Sequence, residues 1–151
     1  ANPAGCEYGG DKGIFAYGEA SGAVSMSNLV SNTGVVGTDV TGVGTARWQA
    51  GACSYGKDKG IFAYGTQPSV QNMSNLVSNT GVVGTDVTGV GTARASLAAC
   101  EYGQDKGIFG FGYTAPTNFS LTNLVSNTGV VGADVTGVGT GRREPGACSF
   151  N

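Results

Sequence analysis

The string "NLVSNTGVVGTDVTGVGTAR" occupies Asn28 to Arg47 and recurs letter for letter from Asn75 to Arg94. A third copy, "NLVSNTGVVGADVTGVGTGR", fills Asn123 to Arg142 with two changes. Other landmarks keep the same spacing. "DKGIF" begins at Asp11, Asp58 and Asp105, and cysteines fall at Cys6, Cys53, Cys100 and Cys148. A repeat of this length marks a solenoid, a propeller or another array of one supersecondary unit, because each unit buries its apolar face only against a neighbour. The units are residues 1–47, 48–94 and 95–142, with a fourth copy of the first strand expected at 143–151.

Within a unit the pattern is all-β. "WQAGACSYG" is small and apolar, and "KGIFAYG" alternates large with small side chains after a tight turn, which predicts a hairpin. A variable loop follows (19–25, 66–72 and 113–120), and one extra residue falls in the third copy, within "GYTAPTNFSLT". "MSNLVSN" and "GVVGTDVTG" predict third and fourth strands, bounded by Asn and Gly turn residues. No window sustains a helical period. Four short strands in one period match the size of a propeller blade.

The order of landmarks resembles the kelch class of β-propeller repeat. Arg47 closes a unit, a small apolar strand follows, and a second strand ends in Tyr64-Gly65. Paired glycines after that strand and the outer-strand Trp of ordinary kelch are absent. The longer "DKGIF…NLVSNTGVV…GVGTAR" string resembles tandem arrays in environmental bacterial and phage proteins. The resemblance covers essentially the whole chain and implies three kelch-like blades plus one C-terminal strand. Propellers close with four to eight blades, so three blades and an odd strand leave exposed edges that seek pairing. Pairing between copies into a ring or a fibre is the expectation, with a segment of a longer repeat array as a further solution; a monomeric β-trefoil of three four-strand units is the alternative fold.

Composition narrows function. There is no histidine among 151 residues, which removes the His-dependent triads and the commonest metal ligand. Eight Lys and Arg against ten Asp and Glu argue against nucleic acid. No apolar run approaches a membrane span and no leader is evident at the N-terminus. No motif implies a cofactor: the glycines of "GTDVTGVGTAR" lack the lysine and helix of a phosphate loop.

The repeated polar residues are therefore read first as structure. Asp39, Asp86 and Asp134 precede Arg47, Arg94 and Arg142 by eight residues, and each pair is expected to form an ion pair or loop brace within its unit. A calcium loop is the alternative, though one carboxylate is a thin oxygen shell. The Asp-Lys of "DKGIF" is expected to start a strand after a turn, with a ligand-binding rim as the sharper alternative. The cysteines read as small buried hydrophobes, with Cys6 and Cys148 as candidates for pairing across a seam or between chains. Tyr17, Tyr64, Phe111 and Trp48 are the candidate surface for ligand or assembly, since such aromatics pack between blades or stack on sugars. Asn72 and Asn118 begin glycosylation sequons at non-equivalent positions. The expected function is structural or adhesive and non-enzymatic, in an extracellular or virion-associated setting, with other copies of the chain as partner. A multivalent glycan-binding lectin is the alternative.

Overall fold

The computed structural model describes residues 1–149 and contains strands and turns but no helix among them. In the first unit β1 (Ala4–Tyr8) and β2 (Lys12–Ala16) form a hairpin, and β3 (Ser27–Val30) adds to its far side. The turn needs two consecutive left-handed residues, Gly9 at φ 62 and Gly10 at φ 80, a conformation that glycine adopts without strain. The second unit repeats this with β4 (Gly51–Tyr55), β5 (Lys59–Ala63) and β6 (Ser74–Val77). In the third, β7 (Ala98–Tyr102) and β8 (Lys106–Gly110) precede a small hairpin, β9 (Tyr113–Thr114) and β10 (Thr117–Asn118), built within the variable loop; β11 (Thr122–Val125) completes the sheet.

Register is the same in all three meanders. Cys6 faces Ile14, which faces Leu29; Cys53, Ile61 and Leu76 repeat the row, as do Cys100, Ile108 and Leu124. Three antiparallel sheets, one per unit, confirm the all-β repeat of blade type. Strand pairing stays within units among the described residues. A trefoil would instead pair strands of different units to close its barrel.

The expected fourth strand is reduced to two isolated bridges per unit. Val36 pairs with Val30 and Val40 with Ser27, and the second and third units repeat both. Between those points Gly37 donates its N–H to the Leu29 carbonyl at 2.8 Å, and the stretch through Thr38 and Asp39 bows out of the ladder. The expected strand at 143–151 does not form across 143–149; Phe150 and Asn151 lie outside the described residues. The tail nevertheless starts as a new unit would. Glu144 donates its N–H to Ser96 carbonyl at 2.8 Å, as Ser96 donates to Gln49 carbonyl at 3.1 Å. Asn2, Gln49, Ser96 and Glu144 share a left-handed φ of 53–56° and meet around one shallow depression. The innermost strands thus enter side by side about a common line.

The hydrophobic core lies between units rather than inside them. One cluster joins Ile14, Ala16 and Tyr17 of the first unit to Phe62, Val77 and Val83 of the second. The other joins Ile61, Ala63 and Tyr64 to Phe109, Val125 and Val131. A single sheet is too thin to cover both its faces, so stacking on a neighbour supplies the burial. Each fully buried Phe of this kind contributes about 1.5–3 kcal/mol.

Candidate functional site: the interface between repeat units

The polar centre of each interface is built around an arginine with no exposed surface. Arg47, at the end of the first unit, is fully buried. Its Nε donates to the Tyr64 carbonyl at 2.7 Å, Nη1 to the Thr45 carbonyl at 3.0 Å and Nη2 to Asn75 Oδ1 at 2.8 Å. The guanidinium carbon lies 4.0 Å from the centroid of the Tyr17 ring, within the range of a cation–π contact. Arg94 repeats the pattern one unit on: to Phe111 carbonyl at 2.7 Å, Thr92 carbonyl at 3.1 Å and Asn123 Oδ1 at 2.8 Å, stacked on Tyr64 at 4.3 Å.

Asn75 and Asn123 carry the charge across. Asn75 accepts from the arginine on its oxygen, and its Nδ2 donates to Asp86 Oδ1 at 2.9 Å and to Gly84 carbonyl at 3.0 Å. Asp86 in turn takes the N–H of Thr45 at 3.1 Å and its hydroxyl at 2.7 Å. A loop of hydrogen bonds therefore runs Arg47, Asn75, Asp86, Thr45 and back. Asp134 closes the same loop with Asn123, Thr92 and Arg94. No buried side-chain nitrogen or oxygen among the described residues lacks a partner, which is what burial of a charged group requires.

The expected ion pairs within a unit are corrected here. The salt bridges among the described residues join each Asp of "DKGIF" to the adjacent Lys: Asp11 to Lys12, Asp58 to Lys59 and Asp105 to Lys106. Arg47 does not pair with Asp39. It reaches forward to the second unit and meets Asp86 through an amide, and Arg94 likewise meets Asp134 through Asn123. Stacking of the sheets brings the loop at 42–47 against the outer half of the following unit, not back onto its own. Burial raises the Asp86 carboxyl, but Thr45, Asn75 and the nearby Arg47 charge outweigh it and hold its pKa below the ordinary carboxylate value. Asp134 behaves in the same way with Thr92, Asn123 and Arg94. Burial also lowers the pKa of Arg47 and Arg94.

The aromatics flank this centre. Tyr17 and Tyr64 are 4% and 0% exposed, so of the two placements expected for them they take packing between units and offer no face to a sugar. Each meets the Phe of the next unit edge to face: Tyr17 with Phe62 at 5.4 Å, Tyr64 with Phe109 at 5.5 Å. Both tyrosines and Phe111 hold φ of 62–64°, a left-handed conformation costly for a side chain with Cβ. That turn aims the Tyr64 and Phe111 carbonyls at Arg47 and Arg94. Trp48 is half-buried and bridges Thr66 at the base of the variable loop.

At the two ends the interface is half made. Asn28 donates to Asp39 Oδ1 at 2.8 Å and to Gly37 carbonyl at 3.2 Å, but meets no arginine. Arg142 stacks on Phe111 at 3.8 Å and donates to Thr140 carbonyl at 3.3 Å, but meets no asparagine. Phe15 is 48% exposed, whereas Phe62 and Phe109 have no exposed surface.

The cysteines are free thiols. Cys6 is half-buried, with its thiol against the Ile61 backbone, and desolvation there pushes its pKa up to about 12; fuller burial raises Cys53 further still. Cys148, exposed in the tail, is close enough to raise Cys100 after burial has done so. The expected pairing of Cys6 with Cys148 is therefore not made within the chain: one is sealed between the first two sheets and the other lies beside the third. The Asp of each "DKGIF" accepts from the Asn of "VSNT", as Asn32 to Asp11 at 2.9 Å, so it braces two turns. Asn72 of the first sequon donates to Gly91 carbonyl at 2.8 Å, and Asn118 is exposed in β10. No cluster of three His, Cys, Asp or Glu side chains arranged to hold a metal occurs among the described residues, and no helix long and apolar enough to cross a membrane.

Neither a family model nor a curated protein matches the chain. Among solved structures it is similar to one described as "Structure of YjhT", with a TM-score of 0.62 and 16% identity over 87% of this chain. The chain spans 44% of that protein's length. At that identity the likeness is one of fold.

Proposed function

We propose that this chain is a non-enzymatic structural module of kelch-like blades that assembles with other copies of itself, in an extracellular or virion-associated setting. The observation that supports it is the placement of the core. Both buried clusters sit between units, so the outward faces of the first and third units remain unfinished. Those faces carry Phe15 at 48%, Leu124 at 42% and Val138 at 85% exposure. Large side chains left open at the two ends of a stack are the surface that a neighbouring blade covers.

The repeated polar residues fit this role rather than catalysis. Asp86 and Asp134 are occupied by threonine and asparagine, which leaves neither carboxylate free to act as acid or base. Glycan binding has no such support, because the repeated tyrosines are enclosed. Sedimentation of the purified 151-residue chain tests the proposal. A mass above 15.0 kDa at micromolar concentration is the expected result, and a monomer at all concentrations would overturn it.

A further inference from the structure

The geometry points to a specific head-to-tail lock: Arg142 and Thr140 of one copy insert against Asn28 and Asp39 of a second, and two copies so joined close a ring of six units. This rests on the proposed self-assembly and gives it an address. The internal interface is made twice with the same partners, and its two halves lie open at opposite ends of the chain. The Arg47 and Arg94 equivalent is Arg142, exposed; the Thr45 and Thr92 equivalent is Thr140. The Asn75–Asp86 equivalent is Asn28–Asp39, already joined at 2.8 Å in the arrangement that accepts an arginine elsewhere.

Shape complements the chemistry. Gly44 and Gly91 sit with φ of 75° and 76° against the Asp and Asn of the next unit, so closely that a Cβ would collide with both. Gly139 has the same conformation, φ 80°, with nothing within 4 Å of an added Cβ. Gly81 and Gly129 likewise receive the Leu and Tyr of the preceding unit, while Gly34 is open and the leucine that would fill it, Leu124, is 42% exposed. Tyr17 and Tyr64 each meet a Phe edge to face; Phe111 lacks that neighbour, and Phe15 is the unburied Phe of the set. Four separate contacts are thus each missing one half at one end and the other half at the other.

The two ends are different surfaces, so the contact is heterologous and must either close or propagate. Copies add units in threes, and of the multiples of three only six lies within the four to eight blades at which propellers close. The tail at 144–149 lies along β7, where β1 of the second copy comes to rest. It is held there by the Glu144–Ser96 hydrogen bond, whereas β1 is held by five residue pairs with β2. The tail is accordingly the segment that moves aside.

Native mass spectrometry of the full chain, wild type and variants, tests the lock. The wild type is expected at twice 15.0 kDa. Arg142→Glu places a carboxylate against Asp39, and Gly139→Val fills the notch; each is expected to weaken the pair by roughly 30-fold or more, as loss of a buried charged hydrogen bond across an interface does. Arg143→Glu, one residue along and stacked on Tyr113, is expected to leave the pair intact. Circular dichroism of each variant confirms that the sheets persist. A dimer indifferent to both lock variants would overturn the interface while leaving self-assembly standing. A ladder of masses beyond two copies would overturn the closed ring, and a wild-type monomer would overturn both proposals.

Discussion

Asn75 and Asn28 occupy the same repeat position and differ in one thing, the arginine of a preceding unit. Asn75→Ala removes three hydrogen bonds at 2.8, 2.9 and 3.0 Å and strands a fully buried guanidinium that keeps only backbone carbonyls as acceptors. Removing one partner from a buried charged network costs about 3–5 kcal/mol, because the charge left behind keeps its desolvation penalty. Asn28→Ala removes two bonds at a half-exposed site, where water replaces them, and costs under about 1 kcal/mol. Both are best compared in an Arg142→Glu background, where the chain is expected to stay monomeric. Thermal unfolding reads the difference: for a domain of this length each kcal/mol moves the midpoint by about 2–4 °C. Asn75→Ala is then expected to melt roughly 6–20 °C lower, and Asn28→Ala within a few degrees of its parent. Equal losses, or a loss below about 1 kcal/mol for Asn75→Ala, would refute the claim that the amide couples the first two units.

Acid should weaken the same interfaces. The pKa of Asp86 and Asp134 is lowered in the folded state, so their contribution is present above the unfolded carboxylate value and lost as pH falls through the folded one. Urea midpoints should be flat near neutrality and drop below about pH 4, and Thr45→Val should flatten that drop. Gly91→Ala places a Cβ against Asp134 and Asn123 and adds left-handed strain of about 1–2 kcal/mol; in the monomeric background Gly139→Ala bears the strain alone. Scanning calorimetry should therefore rank Gly91→Ala as the more damaging. Thiol alkylation followed by mass spectrometry should label Cys148 first, and Cys53 only on unfolding, since burial both shields it and opposes the thiolate. Rapid labelling of Cys53 under native conditions would contradict the stacked arrangement.

What the sequence determined, it determined through periodicity and turn chemistry. The spacing of "DKGIF" and of the cysteines fixes three units of nearly equal length, the third longer by one residue, and the glycine-bounded, alternating "KGIFAYG" admits only a strand in a hairpin. Those signals are local, so they survive without tertiary context. The fourth strand suggested by "GVVGTDVTG" is not continuous, because the bridge-forming valines at 36 and 40 look like a ladder in sequence, while in the fold Thr38 and Asp39 bow out of it and Asp39 takes the Asn28 amide. Partner choice was not legible at all. Arg47 has Asp39 eight residues behind it and Asp86 thirty-nine ahead, and in a repeat both are the same letter. Nothing in one dimension distinguishes them. Asn75 was a strand residue of no evident charge role, although its recurrence in each unit was the available clue. Only the stacking of one sheet on the next decides that the arginine looks forward. Apolar faces too wide for a single thin sheet must be covered by the neighbour, and covering them carries the arginine loop onto the following unit.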